Sequence, residues 1–251
     1  MKLIALDTAT EACSAALLID GQVTLEYEEL GRGHAERILP MIDSLLGGAK
    51  LTLRELDAIA FGRGPGGFTG VRLATSLAQG LAFSSGRPLV PVSDLRAIAR
   101  LALDEHPSAE RVLICSDARM GEVYWGCFER RAAGTASGSS PEDGGAGSFA
   151  QSGIVEPVDI ERVSAPEAVR LPDTWQQVDV LAGRGVALYA NVLRAIPRGA
   201  EMNRLLPHAG AVARLAATDF ARGAGVKARD AAPVYLRDQV VQIPAARGAG
   251  K

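Results

Sequence analysis

The stretch GRGPGGFTGVRLATSLAQGLAF, residues 62–83, restricts the possible folds more than any other part of the chain. A glycine-rich turn runs into a helix-period pattern over residues 69–83, with Thr69 placed to cap it. Leu73, Leu77 and Leu81 form one row, and Gly70, Ala74, Ala78 and Ala82 form a row of small residues beside it. Val71 widens the apolar surface, leaving Arg72, Thr75, Ser76 and Gln79 as the polar positions. A helix this apolar is buried on more than one side. Two environments satisfy it: a place between a sheet and other helices of the same chain, or a face against a partner subunit. The glycines before it present N–H groups as a phosphate loop would. The Walker pattern, however, ends in GK[ST], and Gly70-Val71-Arg72 stands here instead. A conformational role in a tight strand-to-helix turn fits better.

The segments around this turn alternate. Lys2 to Asp7 reads as a strand ending in the polar turn Asp7-Thr8-Ala9-Thr10-Glu11, and Ala12 to Ile19 as a second. Asp20-Gly21 is a hairpin signal, followed by a strand from Gln22 to Leu30. Ile38, Met41, Ile42, Leu45 and Leu46 recur at helical spacing until Gly47-Gly48. Short strands are expected at 57–61 and 88–92, with a helix at 93–103. A second unit starts near Arg111 in the same manner, with a strand ending at Asp117 and a hairpin partner over 122–129. It continues through a strand at 178–182 and helices at about 186–194 and 209–222. The division falls at 1–108 and 109–251, and the shared opening suggests a duplication without sequence similarity. Residues 132–153 are rich in Gly, Ser and Ala and read as a mobile insertion. The tail from Ala245 reads as disordered. Strands alternating with helices imply an α/β protein with mixed sheets flanked by helices.

Several function classes are excluded by counting. The 251 residues carry a formal net charge of -2, which gives little counterion-release energy for tight nucleic-acid binding alone. Cys13, Cys115 and Cys127 lack CxxC spacing and lie in apolar strand-like runs, as buried thiols do. The N-terminus is interrupted by Asp7, Glu11 and Asp20, unlike a signal peptide, and no run is long enough to span a membrane. A cytoplasmic location is expected. The three histidines, His34, His106 and His208, form no HxxxH or HExxH pair, and there is no GxSxG elbow. No metal and no cofactor is expected.

The segments LDTATEACSAALLIDG, GHAERILPMIDSLL, GRGPGGFTGVRLATSLAQGLA and PLVPVSDLRAIA resemble the TsaB (YeaZ) family. SDARMGEVYWGCF and the late APVYLR strengthen the likeness, which is nearly continuous to about residue 129 and looser beyond. The resemblance implies two actin/hsp70/sugar-kinase-like subdomains. It also implies a part in making N6-threonylcarbamoyladenosine at position 37 of tRNAs that read ANN codons. In that family the related subunit TsaD carries the metal and transfers the threonylcarbamoyl group. TsaB pairs with TsaD, the ATPase TsaE joins them, and tRNA is met through the complex. Aligned on Pro91, Asp94 and Ile98 stand where the metal-holding histidines of TsaD-like chains would be. Ile98 ligates no metal, so the resemblance implies a non-catalytic paralogue.

The implied partner surface lies on the first unit. Its expected residues are His34, Glu36, Ile38 and Met41 on one helix. On the next helix they are Phe68, Gly70, Arg72, Leu73, Ala74, Leu77, Ala78 and Leu81, the small row forming the seam. Without TsaD the same surface would make a homodimer, and Ala78→Glu is expected to abolish both associations while the monomer stays folded. A vestigial nucleotide site is expected at Asp7, Thr8, Thr10, Gly183 and Gly185. Its phosphate elements look degraded, since Asp7-Thr8-Ala9-Thr10 lacks glycine and Asp117 is followed by Ala118 and Arg119. The competing readings are a metallopeptidase-like or small-molecule kinase enzyme of the same fold, or a homodimeric interaction module outside tRNA modification.

Overall fold

The computed structural model describes residues 1–132 and 153–237. The first sheet contains β1 (Lys2–Asp7), β2 (Ala12–Ile19), β3 (Gln22–Glu29), β4 (Ala58–Gly62) and β5 (Leu89–Val92), in the order β3-β2-β1-β4-β5. The helices α1 (His34–Ala49) and α2 (Phe68–Ser85) join its strands, and α3 (Asp94–Glu105) leaves it. The second sheet contains β6 (Arg111–Asp117), β7 (Val123–Arg131), β8 (Ile154–Pro157), β10 (Val178–Ala182) and β11 (Arg198–Met202). Its order is β8-β7-β6-β10-β11, with the short β9 (Arg162–Ser164) also pairing with β7. The two sheets share a pattern: β1 and β6 each pair antiparallel with the next strand and parallel with a later one. This repeated order is the two-subdomain α/β architecture implied by the resemblance.

Pleating divides each strand between two layers. Ile4, Leu6, Cys13, Ala15 and Phe61 face α1 and α2, while Leu3, Ala5, Ala16 and Ala60 face the opposite way. There they meet α3 and α6 (Ala209–Ala221), which lie between the two sheets with Val112, Ile114 and Val180 from the second. The far side of the second sheet packs Leu113, Cys115, Trp125 and Leu181 under Trp175 and the short helices α4 (Arg184–Leu188) and α5 (Ala190–Leu193). The outcome is five alternating layers. Arg96 of α3 binds Asp219 of α6 through two nitrogens, at 2.7 and 3.1 Å, tying the middle layer together. After α6 the chain returns to the first sheet, where Val226 bridges Leu89. All three cysteines are buried free thiols.

Several local expectations change. The Gly47-Gly48 pair does not end α1; the helix runs to Ala49, and Lys50 in the left-handed conformation (φ 55°) terminates it. Leu45 and Leu46 are buried beneath this end, so packing outweighs the weak propensity of exposed glycines. Thr69 lies inside α2, whose N-cap is Gly67, and no side chain caps it. Ser93 does cap α3, accepting from the Arg96 N–H. The expected helix at 186–194 is two short helices separated at Tyr189. The Asp20-Gly21 hairpin forms, both residues having positive φ (47° and 88°). The insertion at 132–153 and the tail from Ala245 lie outside the described residues, apart from the flanking 132 and 153.

Candidate functional site

Two surfaces are candidates, and both grow from the turn after β1. Thr8 donates its hydroxyl to the Gly70 carbonyl at 2.7 Å, and the Gly67 N–H donates to the Ala9 carbonyl at 2.7 Å. Any side chain at Gly70 would collide with the Thr8 carbonyl, so glycine is what lets α2 start directly on this turn. The His34 ring lies 2.9 Å from the Thr10 carbonyl and fixes the start of α1 to the same turn. Sequence order alone separates these residues by dozens of positions; the sheet brings them together.

The first surface is the outward side of α1 and α2. Ile38 and Met41 are buried against the sheet, as are Ala74 and Ala78, so these four are not surface residues. The small row is therefore the sheet-facing seam of α2, not a partner seam: alanines let the helix lie close to β4, and Ala78 is wholly enclosed. Periodicity cannot say which of two apolar stripes faces the sheet. Glu36, Phe68 and Arg72 are exposed, while His34, Gly70, Leu73, Leu77 and Leu81 are intermediate. Phe83, at the other end of α2, is 87% exposed, and Leu39 of α1 is exposed as well. The Arg72 guanidinium sits 3.6 Å over the Phe68 ring and donates to the Tyr235 hydroxyl at 2.7 Å. Tyr235 comes from the APVYLR segment, whose Val234 N–H donates to the Arg63 carbonyl at 2.7 Å. Leu39, Phe83 and Tyr235 were not singled out from the sequence, where a lone apolar residue carries no sign of exposure.

The second is a cleft of about 640 Å³ between the two sheets' turns. Thr10, Glu11 and Glu29 line it from the first unit, with Asp117, Arg119, Arg184 and Arg204 opposite. Two of its cations are engaged by neighbouring carboxylates. Arg119 lies 3.0 Å from Glu11 and 3.2 Å from Asp117, and Arg184 lies 2.6 Å from Glu29 and 3.5 Å from Glu11. Hydrogen bonding from Arg184 holds the Glu29 carboxyl below its usual range. A phosphate would have to displace these pairs. Among the expected nucleotide residues, only Thr10 lines this cleft. Asp7 and Thr8 are buried beneath it. Gly183 and Gly185 press against the Cys115 carbonyl, where a side chain would collide, so close packing of α4 on β6 explains both glycines. Asp94 and Ile98 are buried at the start of α3, Ile98 within the core between the sheets.

The sequence pattern described as TsaD, tRNA N6-adenosine threonylcarbamoyltransferase, matches residues 27–245. The tRNA threonylcarbamoyladenosine biosynthesis protein TsaB of Haemophilus influenzae is 38% identical over 240 residues, covering 96% of this chain and 95% of that protein. Escherichia coli TsaB is 37% identical over 246 residues, covering 96% of each. The solved structure of YeaZ from Pseudomonas aeruginosa is 41% identical, covers 94% of this chain and all of that one, and superposes with a TM-score of 0.77. A second structure, of an uncharacterized Pseudomonas aeruginosa protein with similarity to peptidase YeaZ, reaches 43% identity and 0.81, covering 94% of this chain and 99% of that one. Likeness over nearly the whole of both partners, in sequence and in architecture, makes this chain a member of the TsaB (YeaZ) family of tRNA threonylcarbamoyladenosine biosynthesis proteins.

Proposed function

We propose that the chain is a non-catalytic subunit in forming N6-threonylcarbamoyladenosine at position 37 of tRNAs reading ANN codons. In this reading it pairs with the catalytic subunit TsaD, the ATPase TsaE joins the pair, and tRNA is held by the assembly in the cytoplasm. The observation that carries the pairing furthest is the outward side of α2, where Phe68 and Phe83 stay exposed although the core beneath is filled. Aromatic and Arg side chains are the residues that anchor interfaces, and Arg72 is already held between Phe68 and Tyr235. The non-catalytic half of the reading is supported by Ile98, an aliphatic side chain in the core at the position of a metal-holding histidine. Among the described residues no helix is long and apolar enough to cross a membrane. The same surface would form a homodimer when TsaD is absent.

Co-purification with TsaD from the same organism tests this, using Phe83→Asp. A charge on the outer face leaves stability within about 0.5 kcal/mol of the parent. An anchor lost from the centre of an interface costs about 2 kcal/mol or more, roughly a thirtyfold weaker association. Undiminished capture of TsaD by Phe83→Asp would place the contact on another face. Failure of the unmodified chain to capture TsaD, with threonylcarbamoyl transfer unaffected by its removal, would reject the pairing itself.

A further inference from the structure

Beneath the cleft lies a carboxyl pair that takes no part in either surface. Asp7 ends β1, Asp94 begins α3, and both are fully shielded from solvent. Each has one oxygen committed to a backbone N–H. Asp7 Oδ1 accepts from Ala9 at 2.8 Å, and Asp94 Oδ2 accepts from Gly64. The remaining two, Asp7 Oδ2 and Asp94 Oδ1, are buried with no other donor in reach. Gly62, at the end of the neighbouring strand β4, supplies the space: a side chain there would strike Asp94 Oδ1 and the Asp7 carboxyl. Two carboxylates facing each other in such a place do not both ionise readily, because burial and like charge each disfavour the second negative charge.

We propose that Asp7 and Asp94 hold one proton between them, and that this shared proton pins the end of β1 to the start of α3. The Asp94 carboxyl donates through Oδ1 to Asp7 Oδ2, which satisfies both orphaned oxygens at once. Three segments meet at the pin: the turn 8–10 that forms the cleft wall, the turn 62–67 that launches α2, and the N-terminus of α3. Burial first, and then the negative charge of Asp7, push the Asp94 carboxyl well above the ordinary range. Burial also raises Asp7, while the bond from Asp94, the Ala9 N–H and the His34 ring oppose the rise. The other groups around the pair reinforce this assignment. Glu161, from the segment before β9, raises Asp94 further; burial raises Glu161 itself, while the Ser93 hydroxyl and the Arg63 charge oppose that rise. Cys13 on β2 and Tyr27 on β3 both feel the Asp7 charge, and neither supplies a cation. Loss of the shared proton leaves two like charges in contact, so the pin weakens as pH rises.

The sign follows from linkage. Between the unfolded carboxyl pKa and the raised folded one, the native chain holds a proton that the unfolded chain releases, so stability falls as pH rises. Denaturant titrations from about pH 5 to about pH 9 should show the unfolding constant growing by up to about tenfold per pH unit from this site. Asp94→Asn keeps the bonds, its oxygen accepting from Gly64 and its amide donating to Asp7, and removes the titration. Its profile should lack that slope. Asp7→Asn does the same from the other side and serves if the first variant folds poorly. The infrared spectrum of the unmodified protein in heavy water at about neutral pH should show a protonated carboxylic-acid carbonyl band, absent from each Asn variant. Parallel pH profiles for the variant and the parent, or no such band in the parent, would overturn the proposal.

Discussion

The two units end their first strands in the same way and then use the ending differently. Asp7 accepts from the N–H two residues on, at Ala9, and Asp117 accepts from the N–H two residues on, at Arg119, each at 2.8 Å. These are the same Asx turn. Yet Asp7 follows Leu3 and Ala5 onto the middle layer, whereas Asp117 follows Leu113 and Cys115 onto the outer one. A one-residue difference in pleat reverses which face an Asp meets. Asp7 therefore meets the start of α3 and becomes part of the core. Asp117 stays partly exposed in the cleft and pairs with Arg119. The helices that follow diverge as well: α2 is a single run of 18 residues, while its counterpart is broken into five and four. A shared strand order thus leaves one unit with a closed core and a broad helical face, and the other with a wall of the cleft.

The largest contrast should come from placing one charge on each outer helix. Ala78 of α2 is enclosed against β4, so Ala78→Glu leaves an unpaired buried charge and should cost about 3–5 kcal/mol, enough to unfold much of the population. Ala187 of α4 is exposed, and Ala187→Glu should change stability by no more than about 0.5 kcal/mol. Melting by circular dichroism separates the two. A folded, stable Ala78→Glu would mean that α2 can turn its small row away from the sheet.

A smaller contrast tests the two Asx turns. Asp7→Ala removes a buried acceptor and leaves the Asp94 hydroxyl and the Ala9 N–H unpaired, a loss of about 1–3 kcal/mol. Asp117→Ala removes the same turn bond and an ion pair with a largely exposed Arg119, worth about 1 kcal/mol at most. Equal losses in urea titrations would show that the turn bond, and not the environment it sits in, sets the cost.

What was legible in the sequence follows the same physical division. Most strand and helix positions were readable because alternation and 3.6-residue spacing are local, and the Asp20-Gly21 hairpin because its chemistry is local; the short strands β8, β9 and β11 show too few alternating apolar residues to stand out. The repeated opening was visible in the run of strand, Asp and strand. The orientation of α2 was not, since its leucine row and its alanine row are both apolar and only the sheet chooses between them. The Asp7–Asp94 contact joins residues 87 positions apart on different elements, and a lone Asp after a strand reads as a turn residue. The resemblance to TsaD-like chains singles out Asp94 and Ile98, but an alignment carries no sign that Asp94 faces a second carboxyl. Tyr235, brought to Arg72 by the returning tail, left no periodic signal at all.

The middle layer supplies the finest comparison, between the caps of its two helices. Ser93 caps α3 through a hydroxyl that does not titrate, accepting from Arg96. His208 caps α6 through ring Nδ1, which accepts from the Gly210 N–H at 3.1 Å. A ring nitrogen accepts only while unprotonated, and burial, aided by the Arg214 charge, holds the His208 pKa below its ordinary value. The unfolded chain then takes up a proton first, so this contribution is present above about pH 6.5 and is lost as pH falls through the depressed folded pKa. The direction is opposite to that of the Asp7–Asp94 pair, which weakens the fold as pH rises. Protonation forfeits the cap bond, and a cap is worth about 1 kcal/mol, so this is the smallest of the effects. His208→Asn retains an acceptor at the N-cap and removes the titration. The difference in stability between parent and variant should therefore shift in the variant's favour as the pH is lowered through the histidine range. A difference that stays constant with pH would assign the acid sensitivity of the middle layer to other groups.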